Sequence, residues 1–325
     1  MDRRTFLGAC ASGFVLAPAI ADAEPDARVH RVGFMLGATA ESVTSLFNAL
    51  NEGLRDRGYV EGRNLILEAR YGGGKMERLP DLAAELVRQH VEVIVTGTSI
   101  HVAAVRSVTK TVPIVMVFTS DPVGAGFVES LARPGGNVTG LSADASPELW
   151  TKYLALLREA APKLSRVGAL GQVAAKAGFA ELEVASRQLG IALEIADLKA
   201  PDDLEGAFAA MVGKRVEGIV VIVGPLTYQL RKPIGDLALK YRLPTICTLN
   251  EYAHAGALMT YGPNLDDLYV RAASYVDKIL RGAKPADLPV EQPSRFELTV
   301  NMRTARALGE NIPYSLQLLA AEVIE

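Results

Sequence analysis

The feature that most constrains this chain is a repetition, because one α/β pattern is spelled out twice. Arg31-Val32-Gly33-Phe34 returns as Arg166-Val167-Gly168-Ala169, and the helix-ending pair Gly58-Tyr59 returns as Gly190-Ile191. Val91-Glu92-Val93-Ile94-Val95 returns as Val216-Glu217-Gly218-Ile219-Val220, and Val112-Pro113-Ile114 as Leu243-Pro244-Thr245. Four anchors in one order, offset by about 125 to 135 residues, imply two homologous halves. Each half alternates short apolar runs with amphipathic stretches, which is the pattern of parallel-sheet βα units. The expected fold class is α/β, as two similar lobes with a cleft between them.

A length of 325 residues suits two domains, and 49% hydrophobic residues can fill two cores. The formal charge of −3 gives no electrostatic case for a nucleic acid or an anionic membrane as partner. Asp2-Arg3-Arg4-Thr5-Phe6-Leu7 followed by a mildly apolar stretch to Ile20 and by Ala21-Asp22-Ala23 reads as a secretory signal of residues 1–23. The paired arginines before Phe6-Leu7 resemble the twin-arginine class, with cleavage expected after Ala23 and a periplasmic destination. The stretch is too short and too rich in Ala and Gly for a membrane span. Leu7-Gly8-Ala9-Cys10 looks like a lipoprotein box, but the apolar run before Cys10 is short. Without Cys10 a single cysteine, Cys247, remains, so no disulfide framework exists.

Strand one is predicted from Val32 to Leu36, then a helix through Leu46, Leu50 and Leu54 that stops at Gly58. A strand at 64–70, a helix carrying Leu79, Leu82, Ala83, Leu86 and Val87, the buried run 91–95 and a strand from Ile114 to Phe118 complete the first half. The second half repeats the order: Val167 to Leu170, a helix to Gly190, strand 191–196, a helix around 203–212, the run 219–223, a helix to 241 and strand 245–248. Between the halves, Pro134-Gly135-Gly136-Asn137 marks a turn, and Trp150, Tyr153, Leu154 and Leu157 form the core stripe of a helix. Beyond the second repeat, Leu268, Ala272, Val276 and Ile279 mark one more helix capped by Asn264, before a strand at 296–300 and a final helix. Such leftover segments cross back to complete the two units, so several hinge connections are expected.

The four histidines, His30, His90, His101 and His254, are scattered without metal-ligand spacing and read as solvated or incidental. No nucleophile elbow, phosphate-binding loop or dinucleotide fingerprint is present, and Gly72-Gly73-Gly74-Lys75 reads as a plain loop. The informative pattern is polar residues after the strands, where open α/β sheets bind ligands. The candidate ligand-binding residues are Thr39, Ser42, Thr98, Ser99, Ser120 and Asp121 in the first half, and Gln172, Thr227 and Asn250 in the second. Helix capping explains any one of them equally well, Asp121-Pro122 above all. Their joint placement around one cleft is what points to a ligand, because free N–H groups at helix N-termini hold carboxylates.

Four stretches together are specific: GLRDRGYVEGRNLILEARY at 53–71, LPDLAAELVRQHVEVIV at 79–95, DPVGAGFVESLARPGGNVTGLS at 121–142 and KPADLPVEQPSRFEL at 284–298. With these the chain resembles, from about Val29 to its end, the ABC-transporter substrate-binding proteins of the family that includes the tryptophan/tyrosine-binding TrpX-like proteins. The resemblance implies the type I periplasmic binding-protein fold, with two Rossmann-like lobes and parallel sheets joined by a multi-strand hinge. It also implies a small-molecule ligand, an ABC permease as partner, no cofactor and no catalysis. One lobe is then expected from residues 29–142 plus about 262–290, the other from about 143–261 plus 291–325, in a monomer. Two alternatives stand beside this reading. One is an extracytoplasmic isomerase with Asp121 and Glu251 as its acid/base pair, and the other is a binding subunit that docks on a sensory receptor.

Overall fold

In the computed structural model, residues 28–143, 148–172 and 176–325 are described, so the candidate signal, with Cys10 and Ala23, lies outside them. The first half runs β1 (His30–Leu36), α1 (Thr44–Arg55), β2 (Leu65–Tyr71), α2 (Leu79–Arg88), β3 (Val93–Thr96), α3 (Ser99–Val108), β4 (Ile114–Thr119) and β5 (Val138–Ser142). The second runs α4 (Glu148–Ala160), β6 (Arg166–Gly171), α5 (Lys176–Gln188), β7 (Ala192–Asp197), α6 (Asp203–Gly213) and β8 (Gly218–Val221), then α7 (Pro225–Gln229), α8 (Arg231–Lys240), β9 (Thr245–Cys247), α9 (Asn250–His254) and β10 (Met259–Gly262). The tail adds α10 (Leu265–Leu280), β11 (Glu297–Asn301), α11 (Met302–Leu308), α12 (Tyr314–Leu319) and β12 (Glu322–Ile324).

The repetition survives as topology. One sheet has the order β2-β1-β3-β4-β5, and the other, β12-β11-β10-β9-β8-β6-β7, contains the same order from β7 to β10. All pairs within the repeat are parallel, whereas β11 joins β10 antiparallel and β12 joins β11 parallel. The matched anchors do matched work. Arg31 reaches Glu68 of the neighbouring strand at 2.7 Å, and Arg166 reaches Glu194 at 3.1 Å. Glu92 accepts from the Arg31 N–H and Glu217 from the Arg166 N–H, each just ahead of its strand. Before them His90 and Arg215 take the left-handed backbone, at φ 55° and 59°.

Each sheet is covered on both faces, as near-continuous apolar parallel strands require. On the first, α2 and α3 cover one face and α1 with α10 the other. On the second, α4, α5, α11 and α12 lie on one face and α6, α8 and α9 on the opposite one. The helix after each fifth strand is exchanged: β5 leads into α4 on the second sheet, and β10 leads back into α10 on the first. Asn264 starts α10 as expected, its side chain accepting from Asp267 N at 3.1 Å, and Tyr59 donates to Asp277 at 3.0 Å. At Gly53 α1 meets α10 so closely that a Cβ would stand 2.6 Å from the Val270 carbonyl oxygen. The chain passes between the lobes after β5, at Pro263-Asn264 and again at 288–296.

Candidate ligand-binding site

Parallel strands deliver all their C-terminal ends to one edge, and here the two edges face each other. Between them lies a cavity of about 60 Å³. The first lobe contributes Gly37 and Ala38 after β1, Gly97 and Thr98 after β3, and Val117 and Phe118 at the end of β4. The second contributes Val223, Gly224 and Pro225 after β8, Tyr228 of α7 and Leu249 after β9. Leu265 and Tyr269 of the exchanged helix α10 complete the wall. The apolar core of the two lobes is continuous through this region, running from Phe34 and Leu46 to Leu226 and Tyr252.

The polar fitting in the wall is His101. It is 3% exposed, and its Nε2 accepts from the Gly37 N–H at 2.8 Å. Nε2 is therefore the unprotonated nitrogen, and Nδ1, at 2.9 Å from Thr98 Oγ1, carries the proton. Burial lowers its pKa to about 4, so the ring is neutral near pH 7. This side chain pins the loop after β1 to the first turn of α3, which is a structural task rather than the incidental one expected. His30 and His254 pair instead with Glu92 and Glu322. Among the described residues no group of three or more His, Cys, Asp or Glu could hold a metal ion.

Of the nine candidate residues, Thr98 is the one on the cavity wall. Thr39 and Ser42 form a turn with each other, Ser42 Oγ donating to Thr39 O at 2.9 Å. Ser99 Oγ donates to Ser120 O at 2.9 Å and so ties two strand-end loops together. Asp121 is exposed, sits at φ 42°, and accepts from the Gly124 N–H at 2.8 Å. Gln172 accepts from the Leu226 N–H at 3.2 Å, satisfying the start of α7. Thr227 is fully buried, accepting from Gly224 N and donating to Ile222 O. Asn250 opens α9, half-buried.

Tyr228, Arg231 and Glu251 form a second polar group beside the cavity. The Arg231 guanidinium lies 4.5 Å from the centre of the Tyr228 ring, donates to Tyr228 O at 2.8 Å and crosses to Ser42 O of the first lobe at 3.3 Å. Glu251 stands behind Tyr228, 3.5 Å from its hydroxyl. Neither Asp121 nor Glu251 lines the cavity, so the carboxylate pair of the isomerase alternative does not meet in it. Burial pushes the Cys247 thiol up to about 12, which leaves no thiolate near neutral pH. The sequence signal for Tyr228, Tyr269 and Phe118 is weak, because an aromatic residue on a cavity wall has the same local pattern as one in a core.

The family described as ABC transporter substrate binding protein matches residues 37–324. A tyrosine-binding protein of Clostridioides difficile is 26% identical over 270 residues, covering 80% of this chain and 77% of that protein. A conserved domain protein of Vibrio cholerae, 26% identical, superposes with a TM-score of 0.85 over 91% of this chain and 100% of its own. An ABC domain from Streptococcus pneumoniae in complex with L-Trp, 24% identical, superposes with a TM-score of 0.84 at the same coverage. The chain belongs to the ABC transporter substrate-binding proteins and has the type I periplasmic binding-protein fold.

Proposed function

We propose that this protein is the extracytoplasmic ligand-capturing component of an ABC importer, and that its ligand is a small polar molecule with an apolar side group, an aromatic amino acid being the class that fits best. The observation that carries this is the interlobe cavity, whose wall is apolar and aromatic with few polar groups, as small-molecule sites generally are. The first turn of α3, behind Thr98, offers N–H groups without intrahelical acceptors for a carboxylate. The tyrosine-binding relative supports the same class. At about 60 Å³ the cavity is well below the ~300–1,000 Å³ usual for ligand pockets, so the ligand enters an opened cleft and holds the walls farther apart than here.

Export by the twin-arginine route, cleavage near Ala23 and the lobe boundaries given above belong to this proposal. Among the described residues no helix is long and apolar enough to cross a membrane. Calorimetric titration with the twenty common amino acids tests the ligand class. Binding of L-tryptophan or L-tyrosine, at least tenfold weakened in Tyr228→Ala, is the expected result. A panel in which only charged or very small amino acids bind would refute it.

A further inference from the structure

Glu251 is the least satisfied carboxylate near the cleft. Its Oε2 is sealed from solvent and has no hydrogen-bond partner, and the carboxylate's remaining bonds are to its own backbone N–H and to the Tyr228 hydroxyl, which stands 3.5 Å from Oε1, at the limit of a hydrogen bond. The obvious counter-ion does not serve it. Both terminal nitrogens of Arg231 are committed to carbonyl oxygens, of Tyr228 and, across the cleft, of Ser42. The groups facing Glu251 are Tyr228 of α7, Arg231 of α8, Cys247 of β9 and Asp266 of α10. Of these four, Asp266 lies on the first lobe, as does the Ser42 carbonyl that Arg231 reaches, and the other three lie on the second.

We propose that closing the two lobes is coupled to uptake of one proton from solvent by Glu251. Closed, the carboxylate has one oxygen with no partner, no cation bonded to it and a second carboxylate near it, and a buried, poorly paired charge is costlier than a buried neutral carboxyl. When the lobes part, Asp266 and the Ser42 carbonyl that occupies Arg231 leave together. Water then reaches Oε2, Arg231 is released, and the proton dissociates. The direction of titration agrees: burial, the largest cause, and the neighbouring Asp266 raise the Glu251 carboxyl above its ordinary value, outweighing its own backbone N–H, Arg231 and Tyr228. A carboxyl held higher in the closed form than in the open form favours closure in acid. From the ordinary carboxylate value up to the closed-state value, closure weakens as pH rises, by at most tenfold per pH unit for one proton. Glu251 is thus a positioning residue, acting on the ligand through Tyr228 and the closure rather than by touching it.

This inference rests on the binding-protein reading, but its test needs no ligand. Fluorescent labels on Lys110→Cys and Lys163→Cys, one per lobe in a Cys10→Ser background, report the closed-to-open ratio of the free protein between pH 5 and 8. The ratio should rise as pH falls, by up to tenfold per unit. It should be flat in Glu251→Gln, and keep its slope with a lower midpoint in Asp266→Asn. A flat wild-type ratio, a slope that survives in Glu251→Gln, or one that vanishes in Asp266→Asn would overturn the proposal. Should Glu251→Gln fail to fold, the wild-type slope and the Asp266→Asn shift still decide it. Adding L-tryptophan to the same labelled protein separates the two readings: no gain in the closed form would sink the aromatic ligand and leave the pH slope standing.

Discussion

Protonating His101 would set a cation against the Gly37 N–H from which its Nε2 now accepts. The folded state holds this ring near 4 against an ordinary 6.5, so the unfolded chain binds more protons between those values and stability falls as pH drops through them. Wild-type protein should lose about 2–3 kcal/mol from this group by pH 4.5. Urea titrations of wild type and His101→Leu at pH 7 and 4.5 isolate it, and equal acid sensitivity in the two would show that the ring charges in place at no cost. Asp121 makes a complementary case. Its left-handed backbone and its bond to Gly124 N both suit Asn, so Asp121→Asn should change stability by less than ~0.5 kcal/mol and leave binding intact. Asp121→Val, which loses the acceptor and disfavours that φ, should cost about 2 kcal/mol or more in thermal denaturation. A tenfold loss of affinity in Asp121→Asn would instead restore this residue to the ligand site.

At the scale of elements, two helical glycines should answer substitution with opposite signs. Gly206 of α6 has open space where a Cβ would go, so Gly206→Ala should stabilise by ~0.5–1 kcal/mol through helix propensity. Gly53 of α1 faces the Val270 carbonyl and Ala273 of α10, so Gly53→Ala should destabilise by about 2 kcal/mol despite the same propensity gain. Melting curves of both variants check this, and a stabilised Gly53→Ala would mean that α10 can slide away. The elements themselves were legible wherever period and length were strong: β1, β3, β4, β6 and their helices fall within a few residues of the sequence expectation. The helix expected to run to 241 proves to be two, α7 and α8, meeting at Leu230. The sequence expectation lacks β5, β10 and β12. Val138–Ser142 is short, contains Gly140 and follows a turn, so nothing local distinguishes it from a linker, and it becomes a strand by pairing with β4. Polar side chains after the strands are visible in sequence, and of these Gln172 and Thr227 also bond to the start of α7. The cavity wall is apolar and reads as core.

At the scale of the whole molecule, the second lobe touches the glycine loop of the first. The Gln229 amide packs on Gly74, at φ 82°, so closely that any Cβ there would overlap it. The Gln229 amide is the end of a flexible side chain and can swing aside, so Gly74→Val should act through its left-handed backbone, lowering thermal stability by about 1–2 kcal/mol in melting curves; an unchanged melting curve would show that the loop relaxes out of that conformation. Wild type itself should contract on binding, since a ligand bridging two lobes shifts them toward the form it binds better. Identical X-ray scattering profiles with and without ligand would argue for a rigid site. The exchange of α4 and α10 between the lobes has a consequence for how the protein is made. A ribosome completes the first sheet at Ser142, yet the helix that covers its α1 face begins only at Leu265, after nearly all of the second lobe has emerged. The side of Phe34 that meets Tyr269 and the surface of α1 around Gly53 stay uncovered throughout this interval, and their burial waits for α10. A nascent chain that stalls after β10 is therefore left with an open apolar face on the lobe it made first.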